Sequence, residues 1–542
     1  MKDQRGTDNS QPVQVDDEYV EKKGITQSIE QVTEVDASSY HSDHTQRRLK
    51  NRHIQLIGIG GTIGTALFIQ IGASLTKASL FMAFTLWCSV ILAINNCLSE
   101  MVTWIPISSP FVRFADRFVD PALGFAAGMN FFIFEAALIP YEMVAFNVVL
   151  QFWTDKIPTA AVICILLVCY SLLNFFAVKY YGESEFWLAL GKALLITGLI
   201  AFTFVTMVGG NPLHDAYGFR YWNPKNVQGA PFAEYIKTGT TGQFVGFLAC
   251  LIQASFTIAG PDYVSMAAGE AQNPRRNLPR AFNGVFYRLA GFFILGSLCV
   301  GIVVPYNDPD LLNAISHAHP GAGASPYVIA MEHLHIPILP HIVNALVLTA
   351  IFSAGNSYVF CASRTLFGLA LEGKAPQFLT RCAGNGVPIY CVGITLSVAL
   401  LAFLQVSNNS AIVLQWFINL VTASQLLNYA IISFTYIRFY NGLKAQGISR
   451  HDLPYRSFWQ PFCGYYGFIA TLIMAFVGGY TVFLPGFWDI PSFFFSYTMI
   501  AAVPIFFAYW RIRHRSKWQD LKTMTFFERE RMLVDQYEGK ES

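Results

Sequence analysis

Three charged residues lie inside long apolar segments of this sequence: Glu135, Glu142 and Lys192. The two glutamates are about two helical turns apart, so both can face one side of a helix, although Pro140 between them favours a bend. A charged side chain near the middle of a membrane costs about 2.5–3.5 kcal/mol on insertion scales, which makes each glutamate a functional candidate. One of them is then expected to face the cationic group of a substrate or to carry a proton. The alternatives are a protonated packing residue and a structural ion pair.

Lys192 stands between Gly191 and Ala193 in an otherwise apolar segment. A buried lysine gives up its proton more readily than an arginine, so it can exchange a proton with a neighbouring group as a protein changes conformation. We therefore predict that Lys192 takes part in proton coupling. The alternative is a fixed structural cation, paired with a glutamate or with helix carbonyl groups.

Two apolar segments contain residues that interrupt helices and expose main-chain groups. The segment 54–78 holds Gly58-Ile59-Gly60-Gly61-Thr62-Ile63-Gly64. Each glycine costs about 1 kcal/mol relative to alanine in a helix interior, and the free N–H groups of an unwound helix start attract an anion. The segment 243–267 holds Gly260-Pro261-Asp262, where proline removes a backbone donor. Two broken helices are predicted; a small-residue packing face and a simple proline kink are the alternatives.

These residues need a scaffold that spans a membrane, and the composition indicates one. Of the 542 residues 54% are hydrophobic and only 13% are charged, whereas soluble domains have about 25% charged residues. A helical span needs about 20 predominantly apolar residues. Twelve segments qualify, at roughly 54–78, 80–104, 125–152, 159–178, 184–208, 243–267, 283–305, 341–370, 389–406, 411–437, 464–485 and 491–510. The predicted fold class is an all-α integral membrane protein with 12 transmembrane helices.

Lysine and arginine collect in alternate loops, which predicts that those loops and both termini are cytoplasmic. The loop 209–242 is the exception. The predicted organisation is a disordered cytoplasmic tail at 1–50, a membrane core of spans 1–10 at 51–440, spans 11 and 12 at 441–511, and a cytoplasmic C-terminal tail at 512–542. Lysines in the first tail can accept ubiquitin, so ubiquitin ligase machinery is an expected partner. They are Lys2, Lys22 and Lys23.

Several functional classes are excluded. A net charge of +2 leaves no basic domain for nucleic acid. The sequence contains no GxxxxGK[ST], GxSxG or HExxH motif, which argues against an enzyme and against ATP-driven pumping. The ten cysteines have no spacing typical of a metal or redox site. A metal site among the histidines of 317–341 is an alternative without diagnostic spacing.

The two interrupted segments occupy corresponding positions if spans 1–5 and 6–10 are two halves of the chain. An odd number of spans in each half gives the halves opposite orientations, and paired interrupted segments point to a transporter binding site. The loop that follows span 6 contains Glu270, Arg275 and Arg276, for which we predict a role as a cytoplasmic gate. Orientation and contact with lipid headgroups are the alternative.

With these segments in place, the sequence resembles the fungal amino-acid permeases, the yeast amino-acid transporter family within the amino acid–polyamine–organocation superfamily. The resemblance covers about residues 47–515. It includes the Pro140-Tyr141-Glu142 motif of span 3 and Ser353-Ala354-Gly355-Asn356-Ser357 of span 8. The other matching segments are 57–65, 99–108, 117–125, 268–279 and 373–388.

This resemblance implies a LeuT-like 5+5 inverted repeat with broken helices 1 and 6. It also implies import of amino acids across the plasma membrane by proton symport with alternating access. The proton gradient is the driving force and no cofactor is expected. Lys192 matches a family lysine that is linked to protons. The substrate carboxylate is expected on the backbone of Gly60, Gly61, Thr62 and Gly64, and its amine near carbonyl groups of Phe256, Thr257 and Ala259.

Two departures from the family pattern bear on the substrate. Gly260-Pro261-Asp262 stands where many members have Gly-Thr-Glu, and Glu135 is additional. Extra carboxylates favour a cation, so an importer of cationic or quaternary amines such as a polyamine or carnitine is one alternative. A permease-like nutrient sensor is a second alternative, and a channel or membrane enzyme is a third.

Overall fold

The structure is a computed structural model that describes residues 54–55, 64–77, 80–154, 156–176, 181–317, 325–383, 386–526 and 528–541. Within these ranges the chain is helical and contains no strand. The helices, in chain order, are α1 (Ala66–Leu75), α2 (Leu80–Trp104), α3 (Pro110–Phe118), α4 (Pro121–Leu150), α5 (Thr159–Phe176), α6 (Tyr181–Met207), α7 (Gly239–Thr257), α8 (Pro261–Met266), α9 (Pro274–Val303), α10 (Pro309–His317), α11 (Pro326–His333), α12 (Leu339–Leu371), α13 (Ile389–Ser407), α14 (Ser410–Ala445), α15 (Phe462–Val477), α16 (Ile490–His514) and α17 (Glu528–Glu541).

Ten helices of the described chain are long and apolar enough to cross a membrane, with α7 and α8 counted as one interrupted span. They are α2, α4, α5, α6, α7 with α8, α9, α12, α13, α14 and α16. These coincide with ten of the predicted spans. Predicted spans 1 and 11 fall on the shorter apolar helices α1 and α15. A multi-pass membrane protein is therefore confirmed, and the count of twelve spans stays a prediction.

Helix α4 is the centre of the fold. It packs along α12, α14 and α16. Of its most apolar 18-residue stretch 83% is buried, whereas the corresponding share in α16 is 17%. A helix that is apolar on all sides is stable where other helices surround it. Polar residues on such a helix must find partners inside the protein, and Asn130 does so through the Ser424 carbonyl and the Asn428 side chain of α14.

The interruption predicted in span 6 is present in the structure. Helix α7 ends at Thr257, Ile258 is extended, and α8 begins at Pro261. Gly260 has a φ of 146°, a conformation that favours glycine because it has no Cβ. Pro261 is tolerated because the first helical N–H has no partner within a helix. The Gly260 N–H instead donates to Oδ1 of Asp262 at 3.3 Å, which stabilises the break.

The chain beyond α16 is folded back against the helices. The N–H of Gln519 donates to the carbonyl of Val119 at 2.9 Å, and Phe526 packs against Trp104 with ring centroids 5.3 Å apart. In α17, Asp535 forms an ion pair with Arg275. The predicted C-terminal tail therefore includes a helix that contacts the segment following the interrupted span.

Candidate binding site

A small cavity lies at the break between α7 and α8. Its volume is about 40 Å³, enough for a few water molecules. Helices α1, α4, α7, α8, α12 and α14 supply its walls, so the site is built where the central helix meets the interrupted span. The lining residues are Gly64, Thr65, Ala66, Phe134, Leu138, Tyr141, Glu142, Phe256, Thr257, Ala259, Tyr263, Tyr358, Val421 and Gln425.

The break exposes main-chain groups to this cavity. The last carbonyl groups of a helix have no partner within it, and Phe256 and Thr257 are the last two residues of α7. Ala259 follows outside both helices. These three residues all line the cavity, as the sequence predicts for the residues that meet an amine.

Glu142 is the carboxylate of the cavity. Glu142 is 1% exposed, and its Oε2 accepts a hydrogen bond from the hydroxyl of Thr65 at the start of α1. A Cβ at Gly64 would lie 3.7 Å from Oε1 of Glu142. The backbone at Gly64 therefore passes within van der Waals range of the carboxylate, and α1 and α4 are joined at the cavity wall.

Four of the predicted backbone ligands belong to span 1, and the structure describes one of them. Gly64 lines the cavity. Gly60, Gly61 and Thr62 lie outside the described residues. Their role in binding a carboxylate stays a prediction.

Glu135 does not line the cavity. It is completely buried, and neither of its carboxyl oxygens makes a well-formed hydrogen bond within the described chain. Its polar neighbours include Tyr263, which lines the cavity, and the carboxyl of Asp262. Of the two span-3 glutamates, only Glu142 is therefore in direct reach of a molecule in the cavity.

Lys192 is buried and interacts with two carboxyl groups. Its Nζ is 3.9 Å from Oε1 of Glu185, and its charge also interacts with Glu142. The hydroxyl of Ser353 on α12 donates to Oε2 of Glu185 at 2.9 Å. The predicted proton-coupling lysine is thus connected to the cavity through Glu142.

Aromatic rings close the apolar side of the cavity. Phe256 and Tyr141 meet edge to face, with centroids 5.2 Å apart and planes at 80°. Tyr263 and Tyr358 also line the space and bring hydroxyl groups close to it. Aromatic side chains of this kind stack on apolar groups while their hydroxyls bind polar ones.

The predicted gate residues lie away from the cavity, after α8. Glu270 and Arg276 are exposed. Arg275 is held by Asp535 and by Glu538, whose Oε1 accepts the Arg275 N–H at 3.2 Å. Their position between two membrane helices agrees with the sequence, and their action as a gate stays a prediction.

Sequence reasoning missed several residues of the site. Tyr358 and Gln425 line the cavity from α12 and α14, and neither stood out among the many polar residues of those segments. Glu185 lies near the end of a predicted span, where a charged residue is usual, yet it is 8% exposed and pairs with Lys192. Its position seven residues before Lys192 is a usable signal, since that spacing puts both on one face of a helix. Glu100, near the end of another span, is completely buried.

Within the described residues, one group of side chains of the kinds that bind metals lies in or near the histidine-rich region. It consists of Asp308, Asp310 and His333. Nε2 of His333 is 3.0 Å from Oδ2 of Asp310, and Nδ1 is 3.8 Å from Oδ2 of Asp308. Oδ1 of Asp308 accepts the N–H of Leu311 at the start of α10. These contacts join α10 to α11, and we assign the cluster no metal.

A polar cavity at an interrupted span of an all-helical membrane protein is typical of membrane transporters. The chain belongs to the amino acid permease family, whose model matches residues 53–522. It is 50% identical over 464 residues, 84% of this chain and 77% of the relative, to a general amino acid permease of Saccharomyces cerevisiae. It is 39% identical over 479 residues, 88% and 86%, to a proline-specific permease of Emericella nidulans. It is 36% identical over 489 residues, 89% and 79%, to a lysine-specific permease of S. cerevisiae. These relatives are permeases, which confirms that the protein is not an enzyme.

Proposed function

We propose that this protein imports amino acids across the plasma membrane as a secondary active transporter, by proton symport with alternating access. The proposed architecture is a LeuT-like fold of 12 transmembrane helices with both termini in the cytoplasm. The observation that carries the proposal is the cavity that joins the break after Thr257 to Thr65 and Glu142. The amino acid permeases named above support amino acids as the substrate class.

The substrate binds mainly through backbone atoms. Its amine meets carbonyl groups at the end of α7, around Phe256, Thr257 and Ala259, and its carboxylate meets N–H groups of the glycine-rich segment that precedes α1. A zwitterion matches these two ends because exposed carbonyls attract a cation and helix N-termini attract an anion. The presence of Gly64 and Ala259 in one cavity supports this arrangement. The side chain of the substrate then faces the aromatic wall formed by Phe256 and Tyr141.

Lys192 couples binding to the proton gradient. Its charge interacts with that of Glu142, which is hydrogen-bonded to Thr65 beside the substrate site. Protonated Lys192 attracts the carboxyl of Glu142 and so helps to hold the start of α1 in place. Loss of the proton removes this attraction and favours a different arrangement of α1 against α4. No metal or cofactor is required.

A second candidate substrate class is cationic amines. Glu135 and Asp262 are buried close to each other and to Tyr263 of the cavity wall, and neither has a cationic partner in a salt bridge within the described chain. A positive charge that comes near buried carboxyls favours their ionised form and is attracted by it. This pair therefore favours a substrate with an additional positive charge.

The proposal is tested by uptake of labelled amino acids, polyamines and carnitine into cells that lack their own carriers, with and without a protonophore. Lys192→Ala is compared with Lys225→Ala, which removes an exposed lysine outside the spans. We expect saturable uptake of an amino acid that the protonophore and Lys192→Ala abolish and Lys225→Ala leaves unchanged. Saturable uptake that is insensitive to both would reject proton symport. Absence of any uptake by protein at the cell surface would reject the transport function.

A further inference from the structure

Glu185 has no role in the function proposed so far. It nevertheless forms an ion pair with Lys192, the residue to which that function assigns proton coupling. It lies near the first turn of α6, seven residues before Lys192, which corresponds to about 10 Å along the helix axis. Both side chains lie on the face that packs against α12. Because the predicted topology puts the start of α6 on the cytoplasmic side, Glu185 lies between Lys192 and the cytoplasm.

The two oxygens of Glu185 have different environments. Oε2 accepts the hydroxyl of Ser353 at 2.9 Å, whereas Oε1 faces Nζ of Lys192 at 3.9 Å. The side chain of Glu185 is 11% exposed and that of Lys192 is 1% exposed. Glu185 is thus the partly accessible member of this pair, held in one orientation by Ser353. Cys361 of α12 is a further titratable neighbour of Glu185.

Lys192 interacts with two carboxyl groups. One is that of Glu142, whose Oε2 accepts a hydrogen bond from Thr65 in the cavity wall. The other is that of Glu185, with which Lys192 forms an ion pair. One ammonium group and two carboxylates have a net charge of −1, so these three groups can accept one more proton without creating an excess of positive charge.

We propose that Glu185 accepts the coupling proton from Lys192 and passes it toward the cytoplasmic end of α6. In the transfer an N–H bond of the ammonium group breaks, its electron pair stays on Nζ, and an O–H bond forms at Oε1 of Glu185. Lysine becomes neutral and the carboxylate becomes a carboxylic acid, so the total charge is conserved. The acid then loses its proton to water at the cytoplasmic side. This inference rests on the proposed proton symport.

The distance requires a small movement before transfer. A direct hydrogen bond between nitrogen and oxygen spans about 2.7–3.2 Å, and the present separation is 3.9 Å. The four rotatable bonds of lysine, or one bridging water, close this gap. Ser353 acts as a positioning residue, because its hydrogen bond fixes Oε2 and keeps Oε1 directed at Lys192.

The test uses full-length protein in liposomes with an imposed pH gradient and radiolabelled L-proline and L-lysine as probes. Accumulation driven by the gradient is compared with exchange of labelled for unlabelled amino acid without a gradient, and an internal dye records proton entry. Glu185→Gln keeps the size of the side chain but cannot accept the proton. Glu234→Gln, at an exposed glutamate outside the spans, is the matched control.

We expect Glu185→Gln to lower accumulation and proton entry at least about tenfold, the usual scale for loss of a proton-transfer group, while exchange stays within about twofold of wild type. If Glu185→Gln accumulates amino acid at the wild-type level while Lys192→Ala has lost coupling to the proton gradient, the inference is overturned and the proposed function stays intact. Loss of exchange together with accumulation would also overturn it, because that result indicates a purely structural role.

Two further variants apply if Glu185→Gln does not fold. Glu185→Asp retains a carboxylate, and we expect it to restore part of the accumulation. Ser353→Ala removes the positioning hydrogen bond, and we expect it to shift the pH dependence of accumulation without changing exchange. An unshifted pH profile in Ser353→Ala, together with no rescue by Glu185→Asp, would reject the inference. Full coupling in Lys192→Ala would instead reject the proposed proton symport itself.

Discussion

The hydroxyl of Thr65 donates a hydrogen bond to the carboxylate of Glu142, and this bond joins the start of α1 to the central helix α4 at the wall of the cavity. Both residues are almost completely buried. A buried carboxylate is stable only with such partners, and Lys192 supplies the opposite charge. Binding in the cavity, the position of α1 and the charge of Lys192 therefore depend on one another.

The first prediction concerns this bond. Glu142→Gln removes the charge that faces Lys192, and we expect it to lower uptake at least about tenfold, as loss of a buried charged partner usually does. Thr65→Ser keeps the hydroxyl and is expected to retain most of the uptake activity. Thr65→Val lacks the hydroxyl and is expected to lose the activity. Uptake and surface expression are measured together in the same cells. Equal activity of Thr65→Val and Thr65→Ser would contradict a role for the hydrogen bond.

The second prediction concerns the break at Gly260. Its φ of 146° is strained for any residue with a Cβ, so Gly260→Ala is expected to destabilise this conformation by about 1–3 kcal/mol. We expect a lower melting temperature and weaker uptake. Gly198→Ala is the control, because a Cβ there meets no atom within 4 Å and alanine favours the helix. Equal melting temperatures for the two variants would show that the break does not require glycine.

The third prediction concerns the packing of α12 against α5. A Cβ at Gly355 would lie 2.2 Å from the hydroxyl oxygen of Tyr170, so Gly355→Ala forces these two helices apart. Gly368→Ala on the same helix meets no atom within 4 Å. Overpacking of a core usually costs about 1–3 kcal/mol, so we expect Gly355→Ala alone to lower the melting temperature in detergent. A Tyr170→Phe background is expected to rescue part of the loss.

The fourth prediction is a pH dependence at the end of α12. Nζ of Lys374 is 3.2 Å from Asp116 and 2.9 Å from Glu372. Burial lowers the pKa of Lys374, but these two carboxylates outweigh burial and hold the pKa above its ordinary value of 10.5. A raised folded-state pKa gives stability that is complete below 10.5 and is lost as pH rises through the folded-state value.

This dependence is measured as melting temperature from neutral to strongly alkaline pH. Wild type is expected to lose more stability above pH 10.5 than Lys374→Met, which has no proton to lose at this site. Lys225→Met, at an exposed lysine, is expected to follow wild type. Parallel curves for wild type and Lys374→Met would refute the prediction.

Much of the fold could be predicted because membrane spans depend on local composition. Ten apolar segments of sufficient length became helices, and Gly260 with Pro261 placed the break correctly, since both act on their own backbone. Glu142 could be singled out because a carboxylate in an apolar helix has few explanations. None of these inferences needed to know which helices are neighbours.

The remaining features depend on neighbours that are distant in sequence. Ser353 meets Glu185 across 168 positions of the chain, and Tyr436 and Arg450 meet Glu100 across more than 300. Nothing in the local sequence distinguishes these partners from other polar residues. For this reason the sequence alone does not show that Glu100 and Glu185 are buried.

The central claim is that an amino acid binds at the break between α7 and α8, and cysteine labelling tests it most directly. Ala259→Cys is introduced after the ten native cysteines are replaced, and its reaction with a small thiol reagent is followed in membranes. Ser449→Cys, in a loop far from the cavity along the chain, serves as the control. The account predicts that a transported amino acid slows labelling at position 259 in proportion to its occupancy and leaves position 449 unchanged. Labelling at position 259 that no saturating transported amino acid slows would contradict it.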